Sequence, residues 1–263
     1  MVEQILLQQH QDYIYLIQLT DTHILSEEGA TFDSVDTTTT LQQVISHAQS
    51  MFWPPDAVLL TGDLVHDPEP MAYERLCGIL DALQVKIFCI PGNHDDPVLM
   101  KEIMQRNNIS MAKKLEFREW NILMLDTYLA NTHSGYLKDS ELEFLDSQLY
   151  QQENKHVLVC LHHPPVSTGS PWMDKMSLKN SRDLFAILDR YSSVKGLLWG
   201  HIHQEFDNNR NHVRLMASPS TCVQFTPGSD SYVKDNKLPG YRQLKLYDSG
   251  KIETEVIRVG SHQ

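Results

Sequence analysis

The chain has 263 residues, 41% hydrophobic and 21% charged, so it can bury a large core and its balance argues against general disorder. The net charge of −12 disfavours broad electrostatic binding to nucleic acid or to an anionic membrane surface, but not an anionic substrate, since bound divalent cations would reverse the local sign. No apolar run approaches bilayer-spanning length, no basic-then-apolar leader precedes the glutamine-rich N-terminal patch, and Cys77, Cys89, Cys160 and Cys222 form no C-x-x-C pair, so the expectation is a cytoplasmic protein with core cysteines.

Tyr13 to Leu19 is rich in β-branched and aromatic residues and reads as a strand running into Asp21-Thr22-His23. Residues 26 to 36 are polar and read as a loop. Thr37 to Thr40 are candidate caps for a helix carrying Leu41, Val44, Ile45 and Ala48, which Pro54-Pro55 stops. Ala57 to Leu60 reads as a buried strand ending at Gly62-Asp63. Tyr73, Leu76, Cys77 and Leu80 form a helical stripe, and Lys86 to Ile90 a strand ending at Gly92-Asn93-His94-Asp95. Asp96-Pro97 has the form of an N-cap followed by proline at the first helical position.

Asn121 to Leu125 is expected as a strand, and Asp139 opens a helix with Leu142, Leu145 and Leu149. Val157 to Leu161 is a strand that must stop at His162-His163-Pro164-Pro165 because proline cannot donate to a central ladder. Residues 166 to 179 read as a long loop, and Leu184, Ile187, Leu188 and Tyr191 as a helix. Gly196 to Trp199 reads as a strand ending at Gly200-His201-Ile202-His203. Val213–Ala217, Cys222–Phe225, Arg242–Tyr247 and Ile252–Val259 follow as strands, the last two joined at Asp248-Ser249-Gly250. The expectation is an α/β chain forming one domain over 1–263, a strand-helix body followed by a strand-rich part.

Five of these strands end in metal-ligand residue types, and in α/β sheets ligands bind beyond the carboxyl ends of strands. Aspartate, asparagine and histidine supply oxygen and imidazole nitrogen, a mix suited to Mn, Fe, Zn or Co. The reading is a two-metal site in which Asp63 bridges both cations, about 3.5–4 Å apart. His201 and His203, two apart at a strand end, face the same way. Only one of His162 and His163 need serve.

The series Asp21-x-His23, Gly62-Asp63, Gly92-Asn93-His94-Asp95, His162 and Gly200-His201-x-His203 resembles the calcineurin-like metallophosphoesterases. The pair His162-His163-Pro164-Pro165, the loop Gly169 to Asp174 and the tail Pro219 to Phe225 with Pro239 to Arg242 resemble the bacterial class III 3′,5′-cyclic-nucleotide phosphodiesterases. The resemblance implies a sandwich of two mixed β-sheets flanked by helices. It implies that Asp21, His23, Asp63 and His203 hold one metal, and Asp63, Asn93, His162 and His201 the other, with iron or manganese the expected pair. His162 is chosen over His163 because the family's ligand directly ends the strand. Where the family often has aspartate three residues after the bridging one, this chain has His66, with Asp67 next, which puts a role for Asp67 in doubt.

The expected reaction is hydrolysis of 3′,5′-cyclic AMP to 5′-AMP by a hydroxide held between the metals. His94 is the candidate acid that protonates the departing 3′-oxygen, with Asp67 or Asp95 as possible orienters. Asn93, His94 and His23 are the expected substrate contacts. His66, His163, Trp172 and Arg242 are further candidates to line the nucleotide pocket, Trp172 by stacking on the base. No nucleic-acid or membrane partner is expected, and the oligomeric state is open. Two rivals stand beside this reading. One is an enzyme of the same fold acting on another phosphoester, such as a glycerophosphodiester, a 2′,3′-cyclic nucleotide or a nucleotide pyrophosphate. The other is a scaffold that keeps the fold without the chemistry, against which the complete ligand set argues.

Overall fold

A computed structural model describes residues 2–4, 12–106, 108–151 and 154–260; Gln8, Gln9 and Gln11 of the N-terminal patch lie outside the described residues. In chain order the elements are β1 (Val2–Gln4), β2 (Tyr13–Leu19), α1 (Thr37–Ser50), β3 (Ala57–Thr61), α2 (Pro70–Leu80), β4 (Ile87–Ile90), α3 (Pro97–Ile103), β5 (Ile109–Ser110), β6 (Lys114–Glu116) and β7 (Trp120–Met124). There follow α4 (Asp139–Gln151), β8 (His156–Cys160), α5 (Pro171–Asp174), α6 (Ser181–Leu188), β9 (Val194–Trp199), β10 (Phe206–Arg210), β11 (Val213–Ala217), β12 (Gln224–Phe225), β13 (Lys234–Asp235), β14 (Gly240–Tyr247) and β15 (Ile252–Arg258).

Among the described residues the strands form two large mixed sheets and a small hairpin. One sheet has the order β15-β14-β2-β3-β4-β5, the other β1-β6-β7-β8-β9-β11-β10, and β12 pairs with β13. Both are parallel at the centre and carry antiparallel strands toward an edge. The central strands are buried on both faces, which explains their continuous apolar runs. In each sheet the side chains alternate between a core shared by the two sheets and an outer core under the helices. Ile14 and Leu16 of β2 and Leu59 of β3 meet Leu158 and Cys160 of β8 and Leu198 of β9 between the sheets. Tyr15, Ile17, Val58 and Leu60 face outward under α1 and α2, while Val157, Val159 and Leu197 face α4 and α6. The sandwich flanked by helices that the resemblance implied is therefore present.

The helix stripes match expectation closely. Leu41, Val44, Ile45 and Ala48 are all buried on α1, as are Tyr73, Leu76, Cys77 and Leu80 on α2. The cap of α1 differs: Asp36 accepts from the Thr39 amide at 3.0 Å, because an aspartate just before the threonine run places a charged acceptor at the first turn. Asp96 caps α3 as expected, accepting from Val98 at 2.8 Å. The loop at 166–179 contains the short helix α5, and Cys222 to Phe225 yields a strand only at its last two residues. The four cysteines are buried and unpaired, and burial raises each thiol above its ordinary pKa, Cys77 to about 11.

Candidate metal centre

The end of β2 delivers Asp21 and His23, β3 delivers Asp63, and β4 delivers Asn93 and His94; from the other sheet β8 delivers His162, and β9 delivers His201 and His203. The site therefore straddles both sheets at their carboxyl ends. Backbone bonds beyond the strand ends hold these turns together. Asp21 and His23 donate to the carbonyls of Gly62 and Asp63, each at 3.0 Å, and the His201 amide donates to Asp21 Oδ1 at 3.0 Å.

The backbone is strained just here. Asp21 (φ 53°), His23 (44°), Asp63 (49°), His201 (66°) and His203 (50°) all adopt the left-handed region, which costs a non-glycine residue about 1–2 kcal/mol. Such strain gathers where structure is held for function. Two glycines make room for it: a Cβ at Gly62 would collide with the His162 ring, and one at Gly92 with Asp63.

The side chains converge. His162 Nε2 lies 3.3 Å from Asp63 Oδ2 and 3.3 Å from Asn93 Oδ1. His203 Nε2 lies 3.4 Å from Asp21 Oδ1 and 3.2 Å from His23 Nε2, which is itself 3.8 Å from Asp63 Oδ2. Candidate ligand atoms of Asp21, His23 and His203, and of Asp21, Asp63 and His162, fall within 4.8 Å of one another.

The outer hydrogen bonds test whether cations fit. His162 Nδ1 donates to the Thr61 carbonyl at 2.7 Å, and His203 Nδ1 donates to the Val223 carbonyl at 2.7 Å. Each bond fixes a tautomer whose Nε2 is bare in the neutral ring. The bare Nε2 of His162 then faces two oxygens, and that of His203 faces a carboxylate and a second imidazole. Lone pairs opposed in this way, in a buried site, need a proton or a cation between them. Both ring nitrogens of buried His201 and the Nδ1 of His23 also lack partners, a cost that a ligand role for each ring would offset. The residues present fit a pair of divalent cations.

The electrostatics agree. Burial would lower His162, but the Asp63 carboxylate, with Asp21 and the Thr61 carbonyl, holds its pKa up to about 9. Burial would raise Asp63, but His162, His94 and His23 hold it well below the usual carboxylate range. Burial, reinforced by neighbouring imidazoles, keeps His23 and His201 well below the ordinary histidine value. Asp63 is thus held ionised and His23 and His201 neutral, with His162 drawing the positive charge that a cation would supply.

His94 is half-buried on the solvent side of this cluster. Its amide donates to Asp63 Oδ1 at 2.9 Å and its Nδ1 donates to the His66 carbonyl at 2.7 Å, with the two rings stacked at 5.2 Å. Neither aspartate considered as an orienter bonds the His94 ring. Asp67 is exposed, whereas Asp95 is buried and accepts from the amides of Gly92 (2.8 Å), Leu64 (3.2 Å) and Val65 (3.3 Å), with Tyr73 Oη at 3.3 Å. Asp95 thereby clamps the Asp63 turn to the Asn93 turn. Burial, then Asp63, raises its pKa to about 7, against the lowering effect of those amides.

A cleft of about 220 Å³ opens over the cluster and is lined by His23, Asp63, Asn93, His94, His201 and His203 on its floor. Trp172 lines it, as expected. Arg242 does not: it is 1% exposed between the sheets and donates to Ser218 Oγ (3.1 Å) and to the carbonyls of Ala217 (2.7 Å) and Phe206 (3.3 Å). Its inward-facing place on β14 turns it into an internal tie. His163 is buried behind His201, its Nδ1 2.8 Å from Thr127 Oγ1, and is absent from the cleft wall. His66 backs His94 and Phe32 from outside the wall. Phe32, His133, Met173, Met176, Phe225 and Tyr232 also line the cleft without having been named for it: Met173 lies on α5 and Phe225 on β12, and the others lie in segments with no periodic signal.

Residues 14–205 match the family description calcineurin-like phosphoesterase. The chain belongs to this family. Among calcineurin-like phosphoesterases it is 39% identical, over 94% of this chain and 92% of the other, to a 3′,5′-cyclic-nucleotide phosphodiesterase of Nostoc sp.. It is 37% identical, over 94% of this chain and 90% of the other, to the 3′,5′-cyclic adenosine monophosphate phosphodiesterase CpdA of Pseudomonas aeruginosa. The solved structure of a dimetal phosphatase from Danio rerio shares the fold, with a TM-score of 0.64 at 14% identity over 95% of this chain and 100% of that one.

Proposed function

We propose that this calcineurin-like phosphoesterase hydrolyses 3′,5′-cyclic AMP to 5′-AMP. The observation that carries the reading is the convergence of Asp21, His23, Asp63, Asn93, His162, His201 and His203 beneath the cleft, in a chain similar along nearly its whole length to cyclic-nucleotide phosphodiesterases. Asp21, His23, Asp63 and His203 would hold one cation and Asp63, Asn93, His162 and His201 the other, with iron and manganese the pair we favour. When bound, two such cations supply a nucleophile from water at neutral pH and neutralise charge building on the phosphate.

The chain's own residues do the rest. Hydrolysis adds water's oxygen to phosphorus and breaks the bond from phosphorus to the 3′-oxygen, which leaves as a strongly basic alkoxide and needs a proton. His94 is the group we assign to give it: Nδ1–H is committed to the His66 carbonyl, so the proton given is the one its imidazolium form carries on Nε2. The stacked His66 ring fixes the plane of His94. Asn93 and His23, in the cleft floor, are the further substrate contacts. Asp95 keeps the Asp63 and Asn93 turns in register, so nucleophile side and leaving-group side stay aligned.

We also read 1–263 as one domain, supported by the core shared between the two sheets, and place it in the cytoplasm without a membrane or nucleic-acid partner. No helix among the described residues is long and apolar enough to cross a membrane. A substrate panel tests the reading: 3′,5′-cyclic AMP, 3′,5′-cyclic GMP, 2′,3′-cyclic AMP and bis(p-nitrophenyl) phosphate, with the nucleotide product identified by chromatography. Release of 5′-AMP from 3′,5′-cyclic AMP is expected. Turnover of the generic diester alone would refute the substrate and retain only the phosphodiesterase chemistry.

A further inference from the structure

The cleft wall nearest β12 is aromatic. Phe225 lies flat on His203, with centroids 4.0 Å apart and planes 9° from parallel. Trp172 meets Phe225 edge-on at 5.4 Å and Tyr232 edge-on at 5.8 Å, and Tyr232 meets Phe225 at 5.3 Å and 71°. In these edge-on contacts one ring's edge covers part of its neighbour's face, and Phe225 also gives a face to His203, so the wall is an aromatic corner rather than a stack. Met173 and Met176 continue the wall with apolar surface. The indole N–H of Trp172 is buried and has no acceptor, a costly state for a donor in a water-poor wall.

The wall is held before any ligand arrives. Tyr232 is 47% exposed, yet its hydroxyl donates to Asp33 Oδ2 at 2.7 Å, and Lys234 Nζ donates to the Asp33 carbonyl at 2.6 Å. The segment carrying Tyr232 is thus tied to the loop that presents Phe32 on the cleft's other side. Trp172 sits on α5, and the buried residue that precedes the helix, Ser170, accepts from the Gly228 amide at 2.9 Å. Asp174 at the end of α5 accepts from the Thr168 amide at 2.7 Å. Such pre-arrangement favours a flat, rigid guest over a flexible one.

Resting on the reading of this site as a cyclic-nucleotide phosphodiesterase, we propose that Trp172 and Tyr232, set edge-on to each other, form an angled clamp for the substrate's base, one ring stacking on it and the other meeting its edge, so that Trp172 is a specificity-determining residue. The floor takes the cyclic phosphate. The base, which projects from the ribose away from the phosphate, meets the aromatic wall that Trp172 lines. Base–aromatic stacking changes affinity by about 5- to 100-fold per base.

The test compares 3′,5′-cyclic AMP with methyl riboside 3′,5′-cyclic phosphate, which keeps the scissile ring and lacks the base. The parent enzyme is expected to prefer the nucleotide in kcat/KM by about 5- to 100-fold. Trp172→Ala is expected to collapse that preference toward one, mainly through KM, and Trp172→Phe to restore most of it. A preference that survives Trp172→Ala, or a Trp172→Phe variant as impaired as Trp172→Ala, would overturn the clamp. Calorimetric binding of 5′-AMP and ribose 5-phosphate separates this from the functional reading. A parent that binds 5′-AMP more tightly, through Trp172, but does not hydrolyse cyclic AMP supports the clamp and defeats the substrate. A parent that hydrolyses cyclic AMP with no base preference does the reverse.

Discussion

At the residue scale, Asp63 and His94 are neighbours with separable tasks. Asp63 faces His162 and His23, and the shared carboxylate is the reason both halves of the cluster stay together. Asp63→Ala removes that carboxylate and leaves opposed imidazoles, so both metal content by elemental analysis and turnover are expected to fall together. His94 reaches the cluster through its amide to Asp63 and through an edge-on contact of its ring with His23 at 4.8 Å, and its ring is held by the His66 carbonyl. His94→Ala is therefore expected to retain metal while kcat drops by about 10²–10⁴-fold, the usual worth of a general acid. Full activity in that variant would remove His94 from the mechanism. Seven ligand candidates and His94 were legible because aspartate, asparagine and histidine recur at the ends of apolar strands. The strain was not, since only a glycine signals a positive φ and here five aspartates and histidines adopt it. Arg242 was misread because an arginine near a motif suggests a ligand contact, whereas its strand alternation turns it inward.

At the scale of elements, each motif rides on the end of a strand whose register is set by pairing with its neighbours, and helices pack behind the strands. α1 covers β2 and β3, and its first turn is fixed by Asp36. The Thr39 amide and hydroxyl hold the Asp36 carboxyl below its ordinary pKa. A carboxyl depressed in the folded state contributes stability above its unfolded pKa, near 3.8, and loses it as pH falls through the lower folded value. Asp36→Ala is expected to cost about 1 kcal/mol, a fall in Tm of about 2–4 °C. Thermal melts should show that gap constant from neutral pH to about 4 and closing below it; a gap that grows on acidification would contradict the cap. The long amphipathic helices and apolar strands were readable from periodicity. β10, Phe-Asp-Asn-Asn-Arg, was not: it is a polar edge strand defined only by its antiparallel pairing with β11. β5 and β6 are too short to carry a pattern.

At the scale of the whole molecule, the sandwich brings together turns that lie up to 182 residues apart, from Asp21 to His203, and bonds such as His201 to Asp21 close the seam between the sheets. The division of strands between two sheets could not be read from hydrophobicity, because central strands of either sheet are apolar on both faces. The cleft wall was hidden for a related reason: Tyr232 and Asp33 are 199 positions apart and meet only once the sheets have packed. What the assembled molecule offers is two knots of buried lone pairs that cations would resolve.

The central claim is that this centre holds two divalent cations and that hydrolysis depends on both. The direct measurement is metal titration of chelator-stripped protein with manganese or iron, following bound metal per chain and cyclic AMP turnover in the same samples. Activity rising from a negligible baseline and levelling at two equivalents is the expected result. Full turnover in the stripped protein, or saturation of activity at one equivalent, would contradict the account.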